Sequence, residues 1–302
     1  MTDAAVAPSS AADAGVRSLF LRAPDGLKLH LRDYGLTAVS DRLPVVCLPG
    51  LARTAADFDV LARALSSGEE PRRVLALDYR GRGLSEHDPD WRRYDVRVEL
   101  ADVLSILDAL GITRAVLVGT SRGGLISMAM SAARPALIAG VVLNDIGPVI
   151  ETQGLLRIRG YVGKLPQPRS WPEAADILRR LTDGQFPAIP PQDWTELARL
   201  TWREGKDGLE LCYDPALLKT VETLDLERPL PPLWQFFDGL GAMPLLIVRG
   251  EHSDILSEDT LTEMQHRHPR IEIHHALGEG HAPFLRDEAS IGRIADFVRN
   301  IT

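Results

Sequence analysis

The sequence predicts an α/β fold in which a mostly parallel β-sheet carries helices on both faces. Short, continuous apolar runs end at Gly, Asp or Ser, as in "PVVCLPG", "RAVLVGTS" and "AGVVLNDIG". Such runs are typical of strands that are covered on both faces. Segments with helical spacing of apolar residues lie between them, and strand–helix alternation of this kind indicates a parallel sheet.

The elements follow in chain order. "LKLHLRDYG" (27–35) alternates apolar and polar residues, which predicts a half-exposed antiparallel strand. Buried strands are predicted at "PVVCLPG", "RRVLALDYRG", "RAVLVGTS" and "AGVVLNDIG", with helices over 54–67 and 94–111. Towards the end of the chain, "MPLLIVRGE" and "RIEIHHALG" predict two further strands, and "APFLRDEASIGRIADFVRNI" predicts a closing helix.

The alternation stops over residues 148–241. This stretch is rich in proline, has no clear strand pattern and contains helix-like pieces such as "WPEAADILRRLTDG". We interpret 148–241 as a helical cap insert in a core that is formed by 16–147 and 242–302. Residues 1–15 are small and polar and lack the basic start and long apolar run of a signal peptide, so we expect a disordered tail.

Composition excludes several classes of protein. The 302 residues include 34 basic and 42 acidic side chains, a net charge of -8, which argues against a nucleic-acid-binding surface. Cys47 and Cys212 are far apart and have no CxxC spacing, so neither a disulfide framework nor a cysteine-based metal site is expected. No apolar window is long enough to span a membrane, and we predict a cytoplasmic protein of unknown oligomeric state that does not bind membranes.

The stretch Gly119–Gly123 matches G-x-S-x-G, the nucleophile elbow. The pattern is common by chance, but here it lies between a predicted strand and a predicted helix, which is the context that the motif requires. A serine on such a sharp turn needs neighbours with almost no side chain, and Gly124 would let the helix approach the sheet closely. Ser121 is therefore the predicted catalytic nucleophile.

A nucleophilic serine needs a base, and the base needs an orienting acid. His281 lies in "LGEGHAPFL", between the last predicted strand and the closing helix, at the same sheet edge as Ser121. We predict His281 as the base. Asp254 and Asp145 each follow a buried strand and are both candidates for the acid. We favour Asp254, because its strand is nearer in sequence to the one that leads to His281.

An oxyanion hole needs two backbone N–H groups, one of them from the residue after the nucleophile. Arg122 occupies that position. The second donor is expected from the loop after "VVCL", where Pro49-Gly50 brings the backbone close, and Leu51 is the predicted donor.

In this order, "LPGLART", "DYRGRGLSEHD", "VGTSRGG", "RGEHSDIL" and "GEGHAPFL" resemble the motifs of the α/β-hydrolase superfamily, in its esterase and lipase-like branch with a helical cap. The resemblance covers nearly all of the chain after residue 15. It implies an eight-stranded, mostly parallel sheet, a Ser-His-Asp triad, no cofactor and no metal, with water as the second substrate.

The sequence departs from the family pattern at two positions. Pro49-Gly50 stands where many relatives have His-Gly, and this change keeps the backbone donor. Arg122 stands where relatives often carry Met or Gln. A cation at a helix N-terminus opposes the helix dipole, so we expect Arg122 to have an acidic partner. It forms either a structural ion pair or a feature of the pocket that favours an anionic substrate.

The predicted function is hydrolysis of a carboxylic ester, or a similar acyl bond, of a small and largely apolar substrate through an acyl-enzyme. Aromatic residues of the insert are expected to line the substrate pocket: Trp171, Trp194, Trp202 and Trp234. Two alternatives stay open. One is a carbon–carbon bond hydrolase or enol-lactonase of the same fold, and the other is a non-catalytic, hydrolase-like ligand-binding protein.

Overall fold

The computed structural model describes residues 15–35, 42–68, 70–182 and 184–302. The tail predicted over 1–15 lies outside these ranges except for Gly15. Ten strands are present in the described residues: β1 (Val16–Arg22), β2 (Lys28–Tyr34), β3 (Val45–Leu48), β4 (Val74–Asp78), β5 (Ala115–Thr120), β6 (Ile138–Asn144), β7 (Trp202–Gly205), β8 (Gly208–Leu211), β9 (Leu245–Gly250) and β10 (Ile271–Ala276). The α-helices there are α1 (Asp59–Ser67), α2 (Val96–Ala109), α3 (Arg122–Ala133), α4 (Thr152–Tyr161), α5 (Trp171–Leu181), α6 (Trp194–Thr201), α7 (Leu218–Glu222), α8 (Trp234–Asp238), α9 (Glu258–Arg267) and α10 (Glu288–Arg299).

Eight of these strands form one sheet in the order β1-β2-β4-β3-β5-β6-β9-β10. β2 pairs antiparallel with both β1 and β4, and every other pairing in this sheet is parallel. The predicted eight-stranded, mostly parallel sheet is therefore confirmed. Residues 16–22, which the sequence pattern placed in the core without assigning them an element, form the edge strand β1.

β2 is buried, not half-exposed as its alternating pattern predicts. It lies between β1 and β4, and Leu29 and Leu31 are fully buried. Two of its polar residues, His30 and Asp33, are buried as well, because both have hydrogen-bond partners. Asp33 accepts hydrogen bonds from Arg73 at 2.9 and 3.0 Å, and the ring of His30 lies 2.6 Å from Asp78.

Helices cover both faces of the sheet. Apolar side chains of α1 and α10 pack on one face together with Cys47, and those of α2, α3 and α9 pack on the other. Burial raises the pKa of the Cys47 thiol, and both cysteines are free. None of the described helices is long and apolar enough to cross a membrane.

Among its described residues, the segment between β6 and β9 contains five α-helices, α4 to α8, and one hairpin that was not predicted. β7 and β8 pair antiparallel around a turn at 206–207, with Trp202 opposite Leu211. The expectation that 148–241 has no strand is therefore wrong. The boundaries of the cap insert at 148 and 241 stay a prediction.

Candidate active site

Ser121 occupies the turn between the last residue of β5 and the first residue of α3. Its backbone angles, φ 50° and ψ −109°, lie in a region that non-glycine residues rarely adopt. The Ser121 N–H donates a hydrogen bond of 3.0 Å to the carbonyl of Asn144, the last residue of β6. The turn therefore holds the serine in the strained geometry that the elbow motif predicts.

The glycines around Ser121 are required by close backbone contacts. A Cβ atom on Gly119 would lie 2.5 Å from the carbonyl of Gly123, and one on Gly123 would lie 2.0 Å from the carbonyl oxygen of Leu48. On Gly124, a Cβ would lie 2.2 Å from Ile146. These distances are shorter than any non-bonded carbon contact, so the predicted need for small neighbours is confirmed.

His281 lies in the loop between β10 and α10, at the same sheet edge as Ser121. Its Nε2 atom is 2.9 Å from Ser121 Oγ. The ring is largely buried, which holds it in place and shields it from water. The structure thus brings together the two residues that the sequence predicts as nucleophile and base.

The acid that contacts this histidine is Asp145, not Asp254. Oδ2 of Asp145 lies 2.8 Å from His281 Nδ1. The carboxylate is fully buried and also accepts hydrogen bonds from the Gly250 N–H at 2.8 Å and the Ser253 hydroxyl at 2.6 Å. These donors stabilise a buried negative charge. The assignment of the acid to Asp254 is therefore wrong, and the rival candidate Asp145 occupies that position.

Asp254 instead forms a two-pronged ion pair with Arg157 of α4. Arg157 Nε and Nη2 donate to its two carboxylate oxygens at 2.6 and 2.8 Å. Burial acts to raise the pKa of Asp254, but the Arg157 guanidinium outweighs it, and the pKa lies below its usual value. Asp254 thus pairs with an arginine from another part of the chain, and the sequence pattern does not indicate this ion pair.

Strand order explains why Asp145 is the nearer acid. Ser121 and Asp145 follow β5 and β6, which are neighbours in the sheet, whereas β9 lies one strand further away. The imidazole has to reach Ser121, so its other nitrogen lies above the end of β6. Asp145 also comes directly after the last residue of β6, while three residues, 251–253, separate Asp254 from the end of β9.

Asn144 is a part of the site that sequence reasoning missed. Its side-chain amide donates to Thr120 Oγ1 at 3.0 Å and to the backbone carbonyl of Pro283 at 2.9 Å. Its backbone carbonyl accepts from the Ser121 N–H. It therefore connects the elbow to the loop that carries His281. The sequence signal that could have indicated it is the buried apolar run "AGVVL", which ends in Asn144 and Asp145.

The turn that contains Leu51 lies beside Ser121. A Cβ on Gly50 would lie 3.9 Å from Ser121 Cβ, and Gly50, Leu51 and Ser121 line one cavity. Arg122 follows Ser121 directly as the first residue of α3. The turn that carries Leu51 and the first residue of α3 therefore both lie next to Ser121, and the role of their N–H groups as oxyanion donors stays a prediction.

The Arg122 side chain has the acidic partner that the sequence predicts. Its Nη1 atom is 3.6 Å from Glu99, and Arg82 contacts the same fully buried carboxylate at 2.7 Å. Arg122 is not among the residues that line the cavity. This geometry favours the structural ion pair over a role for the Arg122 side chain in substrate binding.

The cavity above Ser121 lies between the core and the segment that follows β6. Its wall is mainly apolar and includes the aromatic residues Phe58, Tyr161, Phe186, Tyr213 and Phe284. None of the four tryptophans predicted for the pocket lines it. Trp194 and Trp202 are buried in the apolar cluster of the insert, and Trp171 packs against that cluster under Arg199. Trp234 packs against the main core under Arg267. The tryptophan assignment is therefore wrong, because all four side chains pack away from the cavity.

Metal ligands are not grouped in the part of the chain that the structure describes: no three His, Cys, Asp or Glu side chains there are placed to hold an ion. At the cavity, hydrogen bonds join the side chains of Ser121, His281 and Asp145.

Comparison with known proteins agrees with the fold. The model of the alpha/beta hydrolase family matches residues 45–293. The chain is 33% identical over 262 residues to a 3-hydroxybutyrate-oligomer hydrolase from Cupriavidus necator, covering 84% of this chain and 87% of that protein. It is 29% identical over 243 residues to an sn-1-specific diacylglycerol lipase from Xenopus laevis, covering 79% and 73%.

Among solved structures, an alpha/beta hydrolase from Novosphingobium aromaticivorans superimposes with a TM-score of 0.88 at 38% identity, covering 95% of this chain and 99% of that one. The matched family segment contains Ser121, Asp145 and His281. The chain therefore belongs to the alpha/beta hydrolase family and is a hydrolase.

Proposed function

We propose that the protein is a serine ester hydrolase in which Ser121 is the nucleophile, His281 the general base and Asp145 the orienting acid. One observation carries the proposal. A continuous chain of hydrogen bonds joins Ser121 Oγ, the two ring nitrogens of His281 and the Asp145 carboxylate, and it opens into a mainly apolar cavity. This arrangement activates a serine hydroxyl for acyl transfer.

The reaction begins when Ser121 Oγ attacks the ester carbonyl while His281 Nε2 accepts its proton. Asp145 accepts the Nδ1–H hydrogen bond and stabilises the imidazolium that forms. The backbone N–H groups of Leu51 and Arg122 donate to the oxyanion of the tetrahedral intermediate. His281 then protonates the leaving alcohol, and water, deprotonated by the same ring, releases the acid from the acyl-enzyme.

The substrate we propose is a small, largely apolar carboxylic ester. The apolar wall of the cavity favours such a molecule, and the similarity to a 3-hydroxybutyrate-oligomer hydrolase and a diacylglycerol lipase favours an ester bond. Short oligoesters of a hydroxy acid are the first natural substrate class to test, because that relative covers most of the chain.

The test uses purified protein with p-nitrophenyl esters of graded chain length and with 3-hydroxybutyrate oligomers. We expect turnover of esters, labelling of Ser121 by a fluorophosphonate, and loss of both in Ser121→Ala. Ser67→Ala is the matched control, because Ser67 is exposed at the end of α1. Absence of turnover and of labelling would favour a ligand-binding protein. Cleavage of a diketone acid in preference to every ester would favour a carbon–carbon bond hydrolase.

A further inference from the structure

Two arginines, Arg53 and Arg157, line the mainly apolar cavity that contains Ser121. A guanidinium in such a cavity needs a partner, and both have one. Arg53 pairs with Asp57 and packs over the ring of Phe284, and Arg157 pairs with Asp254. Neither arginine contacts the triad in the scheme above, so the proposed mechanism leaves them without a role.

Arg157 keeps hydrogen-bond donors outside its ion pair. A guanidinium has five N–H groups. Asp254 accepts from Nε and from Nη2, so both N–H groups of Nη1 and one of Nη2 lie outside this pair. Those donors form the second edge of the planar group, which has the geometry that matches a carboxylate in two-pronged fashion. The Arg157 side chain is about one quarter exposed, so a ligand in the cavity can reach it.

We propose that Arg157 binds a carboxylate of the substrate, and that Asp254 is the positioning residue that fixes the plane of its guanidinium. The substrate class is an ester that also carries a free carboxylate, such as the acid end of a hydroxy-acid oligomer or a half-ester of a dicarboxylic acid. This inference rests on the proposed ester hydrolase function. Arg53 lines the same cavity but is paired with Asp57, which lines it too, so the proposal assigns the carboxylate to Arg157 alone.

Three features of the site support the proposal. Asp254 binds the Nε–Nη2 edge of the Arg157 guanidinium, and the side chain of Tyr161 forms a further hydrogen bond with it, so Asp254 and Tyr161 together fix its position. Desolvation acts to lower the pKa of Arg157, but Asp254 and Tyr161 outweigh it and raise that pKa, so the cation persists beside apolar side chains. Tyr161 is one turn further along α4 and lines the same cavity. A charge-assisted hydrogen bond is strong where water is excluded.

The experiment compares kcat/KM for two matched pairs of esters. In the first pair, the 3-hydroxybutyrate dimer with its free carboxylate is compared with the methyl ester of the same dimer. In the second, the p-nitrophenyl half-ester of glutaric acid is compared with p-nitrophenyl pentanoate. The pairs place the carboxylate on the alcohol side and on the acyl side of the scissile bond. For at least one pair, we expect Arg157→Leu to lower the ratio of anionic to neutral kcat/KM about tenfold or more, mainly through KM.

Three further variants distinguish recognition of the substrate carboxylate from a purely structural role of Arg157. Arg157→Lys keeps the charge and a bond to Asp254 but lacks the fork, so the ratio should fall to an intermediate value. Asp254→Asn should raise KM for the anionic ester more than for the neutral one. Arg159→Leu removes an arginine from the same helix, one that does not line the cavity, and should leave the ratio within about twofold.

The outcomes separate the inference from the proposed function. If wild type hydrolyses esters but Arg157→Leu lowers both members of each pair equally, Arg157 is structural and the inference is wrong. An unchanged ratio in Arg157→Leu overturns it as well. If wild type hydrolyses none of the four esters, the proposed function itself fails.

Discussion

The Nδ1 atom of His281 lies 2.8 Å from Oδ2 of Asp145, and the same carboxylate is held by the Gly250 N–H and the Ser253 hydroxyl. These three contacts fix the imidazole so that Nε2 points at Ser121 Oγ. His281 also contributes to the low pKa of Asp254, but the Asp254 carboxylate is bound to Arg157. The site therefore contains two carboxylates near one histidine, and their partners give them different roles.

The two carboxylates differ in the effect of removing their charge. Asp145→Asn leaves the imidazole poorly oriented and should lower kcat for a neutral aryl ester by roughly 10⁴-fold. Asp254→Asn should lower it by less than about tenfold, because Asp254 does not contact the ring. Steady-state kinetics on p-nitrophenyl butanoate measures both, with circular dichroism to verify folding. The reverse ranking of the two variants would contradict the assignment of Asp145.

Gly123 is predicted to tolerate no side chain. A Cβ there would lie 2.0 Å from the carbonyl oxygen of Leu48, so Gly123→Ala must displace β3 or α3 and should destabilise the protein by roughly 2 kcal/mol or more. Gly160→Ala is the matched control: it lies in α4 with open space around its Cβ position, and it should be neutral or stabilising by about 0.5–1 kcal/mol. Urea unfolding of both variants provides the test. Equal stability of Gly123→Ala and wild type would argue against the close packing.

Glu279 gives the stability of the protein a pH dependence. Burial raises the pKa of Glu279 to about 7, against a usual value of 4.5, although the Phe284 N–H donates to its carboxylate at 2.7 Å. The folded state then binds more protons than the unfolded state between these two values. The stabilising contribution of Glu279 is complete below pH 4.5 and is lost as the pH rises through about 7.

The loss is on the order of 3 kcal/mol, at about 1.4 kcal/mol for each pKa unit. Glu279→Gln keeps an acceptor for Phe284 but cannot ionise. The stability of this variant relative to wild type should therefore increase between pH 4.5 and pH 8. Glu227→Gln, at an exposed glutamate, is the control and should show no such trend. Chemical denaturation at several pH values measures the difference, and parallel curves for wild type and Glu279→Gln would show that the carboxylate ionises freely.

Phe186 is predicted to limit the length of the acyl or alcohol chain. It lines the cavity and packs against Phe284 with ring centroids 5.0 Å apart. Phe186→Ala should raise the ratio of kcat/KM for p-nitrophenyl octanoate over butanoate by about tenfold, because the cavity becomes larger. Trp171→Ala removes an aromatic side chain of the insert that lies outside the cavity, and the ratio should stay unchanged. A change of similar size in both variants would indicate a general loosening of the insert.

Much of the fold could be predicted because it depends on local patterns. Continuous apolar runs marked the buried parallel strands β3, β4, β5, β6 and β9, and the elbow glycines marked the β5–α3 turn. Two elements were predicted wrongly. His30 and Asp33 of β2 are buried beside Asp78 and Arg73, and a hydropathy pattern does not show such partners. The β7–β8 hairpin carries an Asp-Gly pair at 207–208, but the helix-like pieces around it favoured a helical interpretation.

The acid of the site could not be chosen from the sequence. Both candidates follow Ser121 and precede His281, and both follow a buried strand. Tertiary structure distinguishes the two aspartates: β6 is the neighbour of β5 in the sheet, and Arg157 forms an ion pair with Asp254. The residues that line the pocket could not be chosen from the sequence either. Tryptophans in an insert fill either its interior or a cavity wall, and only packing decides between these two places.

Asn144 has a consequence for experiments on substrate binding. Its carbonyl fixes the Ser121 backbone, and its amide fixes Thr120 and the Pro283 carbonyl two residues after His281. The separation of serine and histidine is thus maintained by contacts that do not involve the serine hydroxyl. An enzyme without that hydroxyl should keep the cavity, the imidazole and the Arg157 edge in their native arrangement. Ser121→Ala is therefore suited to trapping an intact ester in a crystal, where the position of its carboxylate can be seen directly.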